Sequence, residues 1–335
     1  MVDDRLLTAS ASPHVRTRDT TRGIMLDVLL ALCPALIASV VLFGFRALAV
    51  TAVSVASCVL FEFLSRKAMR RPNTIGDLSA AVTGVILAFN LPASIPYWMV
   101  VFGALIAIVV VKQMFGGIGQ NFVNPALLAR IVLMVSFPKA MLASWPTPFA
   151  WNDDASDAIT SATPLAILKS GDGTLPSLLN MCFAKAGCLG EVCAAALVLG
   201  GIFLVIRRVI SPVVPLCFVG TVGVCMLAYG FANSTNAWSF AAYELLSGGL
   251  LLGAIFMATD YATSPISTKG KIIFAVGCGL ITSLIRLFGN MNEGVSFSIV
   301  LMNILVPHID RLTVPKPFGM EHEKKAKKNA EVKPS

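Results

Sequence analysis

The chain has 335 residues, of which 56% are hydrophobic and only 13% charged, and its mean hydropathy is +0.79. A soluble domain carries about 25% charged residues, so this chain lacks the polar surface that facing water requires. That excludes a soluble enzyme, a disordered tail protein and a nucleic-acid binder, in spite of the net charge of +8. The composition is that of an all-α polytopic membrane protein.

Residues 1–21 are polar and hold Arg5, Arg16 and Arg18. No small-residue cleavage site follows the first apolar run, so a retained first helix is expected and no removable signal peptide. Apolar stretches then run at about 24–43, 48–64, 78–91, 96–111, 124–136, 191–206, 212–230, 239–257, 272–288 and 294–307. A membrane span takes about 20 apolar residues. The stretches 78–91 and 124–136 are shorter and are bounded by Asn-Leu-Pro and Asn-Pro, which predicts tilted or interrupted helices.

Ten spans place both termini on one side. With the termini in the cytoplasm, the inner segments hold nineteen Lys and Arg residues. The outer ones hold five (Arg46, Lys139, Lys169, Lys185 and Arg286), with Lys112 and Arg130 near the boundary. This satisfies the positive-inside rule and explains the basic excess without nucleic acid. The expected organisation is a cytoplasmic tail (1–21), five spans (22–136), an extracytoplasmic loop (137–190), five more spans (191–310) and a basic cytoplasmic tail (311–335). An odd number of helices per half forces the halves into opposite orientation, as in inverted-repeat transporters. Asp77-Leu-Ser-Ala-Ala and Glu244-Leu-Leu-Ser-Gly-Gly are weak echoes of one another.

The outer loop far exceeds the roughly 15 residues of an ordinary connection, which marks it as functional or disordered. Its apolar residues argue for a folded loop against the membrane face. Five of the eight cysteines (Cys33, Cys58, Cys217, Cys225, Cys278) lie singly in apolar runs, as small hydrophobes do. Cys182, Cys188 and Cys193 lack CxxC or zinc spacing, and His14, His308 and His322 lie far apart. No metal site is expected within the chain; a centre shared with a partner chain stays open.

Three polar strings interrupt the apolar pattern. The first is Lys112-Gln-Met-Phe-Gly-Gly-Ile-Gly-Gln-Asn-Phe-Val-Asn-Pro-Ala. Gly116, Gly117 and Gly119 permit left-handed backbone, and Asn121 and Asn124 supply amide donors and acceptors. Irregular backbone at membrane depth survives only under protein cover or beside a cavity. A ligand site and a tight turn with capping asparagines are equally good readings. The second string, Phe256-Met-Ala-Thr-Asp-Tyr-Ala-Thr-Ser-Pro, sets Thr259, Asp260 and Thr263 at a helix end. They suit a flavin edge, a phosphate or a coupling cation, or else a plain Ser/Thr/Asx cap. Glu62, Glu191, Glu244, Glu293 and Asp27 lie in or beside apolar runs, where ionisable groups are functional candidates by default. The third string, Asp157-Ala-Ile-Thr-Ser-Ala-Thr163-Pro-Leu, lies in the outer loop.

Ser161-Ala162-Thr163-Pro-Leu resembles the flavinylation motif of the D subunits of Rnf electron-transport complexes. The related B subunits of sodium-pumping NADH:quinone reductases carry a similar motif. Further matching strings run in order from Ser12-Pro-His-Val, through Asp77-Leu-Ser-Ala-Ala-Val-Thr-Gly and the two strings above, to Glu293-Gly-Val-Ser-Phe-Ser-Ile-Val-Leu-Met-Asn. The resemblance implies FMN joined to the Thr163 hydroxyl through a phosphoester, installed by a flavin transferase, with Asp157, Ser161 and Ala162 in the recognition string. Many flavinylated sequences have glycine where this one has Ser161. A non-covalent riboflavin in the bundle is a further expectation, at Asn121, Asn124, Thr259, Asp260 and Thr263. The resemblance also implies a bacterial inner-membrane subunit of a ferredoxin:NAD+ oxidoreductase that relays electrons and drives Na+ or H+ outward. Its partners would be the A, B, C, E and G subunits, above all the flavin-bearing G subunit. A solute transporter or channel and a redox-inactive scaffold are the rival readings.

Overall fold

A computed structural model describes residues 20–142, 145, 148–149, 164–170, 176–233, 236–289 and 293–314. Thr163, Asp157, Ser161 and Ala162 lie outside the described residues. Within them the secondary structure is helical throughout. The helices are α1 (Thr21–Phe43), α2 (Phe45–Ala68), α3 (Ser79–Phe89), α4 (Tyr97–Gln113) and α5 (Pro125–Ser136). Three short ones follow: α6 (Pro138–Leu142), α7 (Pro164–Ser170) and α8 (Leu178–Phe183). Then come α9 (Ala194–Ile206), α10 (Val213–Ala232), α11 (Ala237–Leu246), α12 (Leu250–Met257), α13 (Thr268–Phe288) and α14 (Val295–Thr313).

Helix starts follow capping chemistry. The Thr20 hydroxyl accepts from Gly23 N at 3.1 Å, and Ser267 Oγ accepts from Gly270 N at 2.9 Å. Asn124 caps α5 with Pro125 at its first position, accepting from Ala126 N and Leu127 N. Five helices (α1, α2, α10, α13 and α14) are long and apolar enough to cross a membrane. The pair α11–α12 makes a sixth if it counts as one span bent by 61°. Four shorter apolar helices, α3, α4, α5 and α9, complete the set.

Apolar side chains such as Ile37, Leu199, Leu216 and Val224 face outward, the inverse of a soluble bundle. Where lipid is as apolar as the core, helices associate through close packing and polar contacts across small residues. A Cβ on Gly84 would stand 2.7 Å from Val55 Cα, and one on Gly200 would stand 2.2 Å from the Ala31 carbonyl oxygen. These glycines bring α3 onto α2 and α9 onto α1. Ser54 Oγ on α2 donates to the Gly84 carbonyl at 2.7 Å.

Hydrogen bonds show which helix ends share a face. At the end where α1 begins, Arg207 pairs with Asp27 at 3.1 Å and Ser267 Oγ bonds Thr313 Oγ1 at 2.7 Å. At the other end, Arg46 Nε donates to the Ala93 carbonyl at 2.8 Å and Leu189 N to the Leu91 carbonyl at 3.0 Å. The helices α4 and α12 both close in wide turns, with Met114 N reaching Val109 O and Ala258 N reaching Gly253 O. Such widened turns recur at functional sites.

Candidate functional site

A cavity of about 110 Å³ opens at the end of the bundle where α1 begins. Met25, Val28, Ile86, Leu204 and Phe256 form its apolar wall, and Ser79, Thr83 and Lys112 join its polar side. The polar strings of the sequence converge here: Asn121, Asn124, Thr259 and Asp260 all line the cavity. Asn124 Nδ2 donates to the Met257 carbonyl at 3.3 Å, tying the two strings together.

Each residue now has a part. The Asn124 carbonyl oxygen is used as the α5 cap, so the capping reading holds for that residue. Gly116, Gly117 and Gly119 take φ of 127, 105 and 81°, and a Cβ on Gly117 would stand 2.4 Å from Arg66 Nη2. Asn121 Oδ1 is different: it is buried and has no hydrogen-bond partner among the described residues. Buried polar atoms are rarely left unpaired, so this acceptor is open to a donor in the cavity, water or ligand.

Thr259 bonds back to the Ile255 carbonyl at 2.6 Å, while Thr263 Oγ1 donates to Asp260 Oδ2 at 3.2 Å. Thr263 is buried behind Asp260 and supports it. Asn303, with its amide oriented for hydrogen bonding, donates to the Thr263 carbonyl at 3.0 Å and accepts from Asn124 N at 3.2 Å. Burial pushes the Asp260 carboxyl above its ordinary range, against the pull of the Thr263 hydroxyl, the Ala262 and Tyr261 backbone N–H groups and the Lys112 charge.

Lys112 is the cation of the site. Its Nζ donates to Glu62 Oε2 at 2.9 Å and to Ser79 Oγ at 2.6 Å, with both charged side chains out of solvent. Glu62 also accepts from Gln113 Nε2 and Thr74 Oγ1, and Ser79 Oγ donates to Asp77 Oδ1. The sequence alone sets Lys112 at a boundary, because a lysine ending an apolar run resembles a loop charge.

A second buried network lies deeper in the bundle. Arg130 on α5 donates to Asn90 Oδ1 at 2.8 Å and pairs with Glu293 Oε2. Arg286 on α13 pairs with Glu244 at 3.0 Å and donates to the Ser247 carbonyl at 3.2 Å. Lys185 Nζ donates to the Leu246 and Gly248 carbonyls. Arg286 and Lys185, outer-loop charges by sequence position, are thus buried beside carboxylates and carbonyls. The acidic candidates Glu62, Glu191 and Glu244 are likewise buried.

A model of the NQR2, RnfD, RnfE family matches residues 8–319. The chain belongs to that family. It is 44% identical over 326 residues to the D subunit of the Na(+)-translocating ferredoxin:NAD(+) oxidoreductase complex of Acetobacterium woodii, covering 96% of this chain and 98% of that one. It is 41% identical to the D subunit of the proton-translocating ferredoxin:NAD(+) oxidoreductase complex of Clostridium ljungdahlii, covering 95% and 98%. It is 36% identical to the D subunit of the ion-translocating oxidoreductase complex of Stutzerimonas stutzeri, covering 90% and 93%. The family match spans both halves of the bundle and therefore both polar strings of the cavity.

Proposed function

We propose that this chain is the D-type subunit of an ion-translocating ferredoxin:NAD+ oxidoreductase in a bacterial inner membrane, assembled with its A, B, C, E and G subunits. The carrying observation is near-full-length similarity to two proteins so named. In this reading a flavin transferase joins FMN to Thr163, and the chain relays electrons coupled to Na+ or H+ movement. The support for attachment is the Ser161-Ala162-Thr163-Pro string, with Asp157 upstream.

A riboflavin held in the cavity completes the proposal. The donor set suits an isoalloxazine: an unpaired acceptor at Asn121 Oδ1, a cation at Lys112, a carboxyl at Asp260 and apolar walls. Flavins supply one- and two-electron redox chemistry, while the protein positions and tunes them. Asn121 and Asp260 would hold the ring system, Lys112 would supply positive charge, and Met25, Val28 and Phe256 would exclude water.

The topology belongs to the same proposal: ten spans as two inverted five-helix repeats (22–136 and 191–310), both termini cytoplasmic and the 137–190 loop outside. Helix packing supports it, since α1 lies against α9 and α5 against α14, the first and last helices of each half. Basic side chains at the ends of α4 and α13 make matching contacts: Lys112 bonds Ser79 and Glu62, and Arg286 bonds the Ser247 carbonyl and Glu244. Broken helices over an inverted repeat also favour an ion path through the bundle.

Turnover of the whole complex with Thr163→Ala tests the reading. Expected is assembly at the wild-type level with electron transfer lost; normal electron transfer in that variant would sink the proposal.

A further inference from the structure

Between α11 and α12 the chain breaks at Ser247-Gly248-Gly249, and Gly248 takes the left-handed φ of 64° that makes the turn. The break frees backbone carbonyls from helical partners. Lys185, 4% exposed, reaches in and donates from Nζ to the Leu246 carbonyl and, at 3.3 Å, to the Gly248 carbonyl. Two more oxygens at the break are buried and have no hydrogen-bond partner among the described residues: Ser247 Oγ and Glu191 Oε2. Glu191 Oε2 points at the break, 4.0 Å from where a Cβ on Gly249 would stand. An ammonium seated on unwound carbonyls, beside an orphaned carboxylate oxygen and an orphaned hydroxyl, copies the ligand set that membrane proteins offer a monovalent cation.

We propose that this break is a binding site for a monovalent cation of the Na+ class, with the Lys185 side chain as its tethered competitor. When Lys185 withdraws, Leu246 O, Gly248 O, Ser247 Oγ and Glu191 Oε2 take the ion. Charge balance gives the exchange its logic. The three cations Arg130, Lys185 and Arg286 face the three carboxylates Glu191, Glu244 and Glu293, so withdrawal of the Lys185 ammonium leaves the deficit that one incoming cation fills. The existence of the site rests on this geometry, and its use in transport rests on the ion-translocating reading above.

The test uses the assembled complex with this chain full length, purified in choline chloride and titrated with NaCl against KCl and choline controls. Readouts are the thermal unfolding midpoint and the 23Na linewidth. If Lys185 holds the site about nine-tenths of the time, Lys185→Met raises apparent Na+ affinity about tenfold. Glu191→Gln in that background removes the gain. Sodium bound elsewhere in the complex cancels in the comparison. Equal titrations for wild type and Lys185→Met, or a gain that survives Glu191→Gln, overturn the proposal and leave Lys185 a helix cap. Should Lys185→Met fail to assemble, Ser247→Ala must weaken the Na+ response of the otherwise unaltered chain; an unchanged response overturns it equally. Covalent flavin and turnover are read on the same samples. Their loss with the Na+ titrations intact counts against the electron-relay reading and not against the site.

Discussion

Lys112 and Glu62 illustrate how single side chains organise this protein. Both are buried, so each charge depends on the other and on the hydroxyls of Ser79 and Thr74 around them. Removing one partner of a buried pair costs about 3–5 kcal/mol because the other is left uncompensated. Lys112→Met is therefore expected to lower stability by that order in detergent unfolding, with Glu62→Gln in the same chain recovering part of it. An unchanged midpoint for the single variant would show that water reaches the pair. At the cavity, Asn121→Leu is expected to strip non-covalent flavin from the purified complex while leaving covalent flavin unaltered, as read by flavin extraction. Asp260→Asn is expected to lower turnover or ion coupling more than expression; unchanged activity and transport would return Asp260 to the role of a turn cap. Asn121 and Asp260 are legible in the sequence because amides and carboxylates interrupt apolar runs conspicuously. Lys112 and Lys185 are not, since a lysine's long stem lets it sit at the edge of an apolar run in sequence and deep within the bundle in space.

At the scale of elements, the expected positions of the apolar helices hold, including the short α3 and α5 flagged by their Asn-Leu-Pro and Asn-Pro boundaries. The break between α11 and α12 is not legible in the same way. The apolar run 239–257 has the right length for one straight helix; Ser247-Gly248-Gly249 is a turn signal within it, but the bend is set by Arg286 and Lys185, which bind the carbonyls around it. Tertiary partners make such a break tolerable within an apolar bundle. The contact of α1 with α9 is equally a matter of packing: Gly200 lies where any side chain would strike the Ala31 carbonyl. Overpacking of this kind costs typically about 1–3 kcal/mol. Gly200→Ala is expected to lower the unfolding midpoint, and Gly220→Ala, with open space at its Cβ position, to leave it near wild type. Equal midpoints for the two would mean that α1 and α9 do not approach so closely.

For the molecule as a whole, two polar systems sit at different depths of one helical bundle. The cavity at the α1-start end gathers Asn121, Asn124 and Asp260, and the deeper network gathers Arg130, Lys185 and Arg286 around the broken helix. The family match over residues 8–319 takes in both. The decisive measurement is the intact mass of the denatured chain, with in-gel flavin fluorescence, from cells that make a flavin transferase. Expected is one FMN mapped to the peptide that holds Thr163, and its disappearance in Thr163→Ala. An unmodified chain, alongside a flavinylated control protein from the same cells, would contradict the redox role and put a transporter or scaffold in its place.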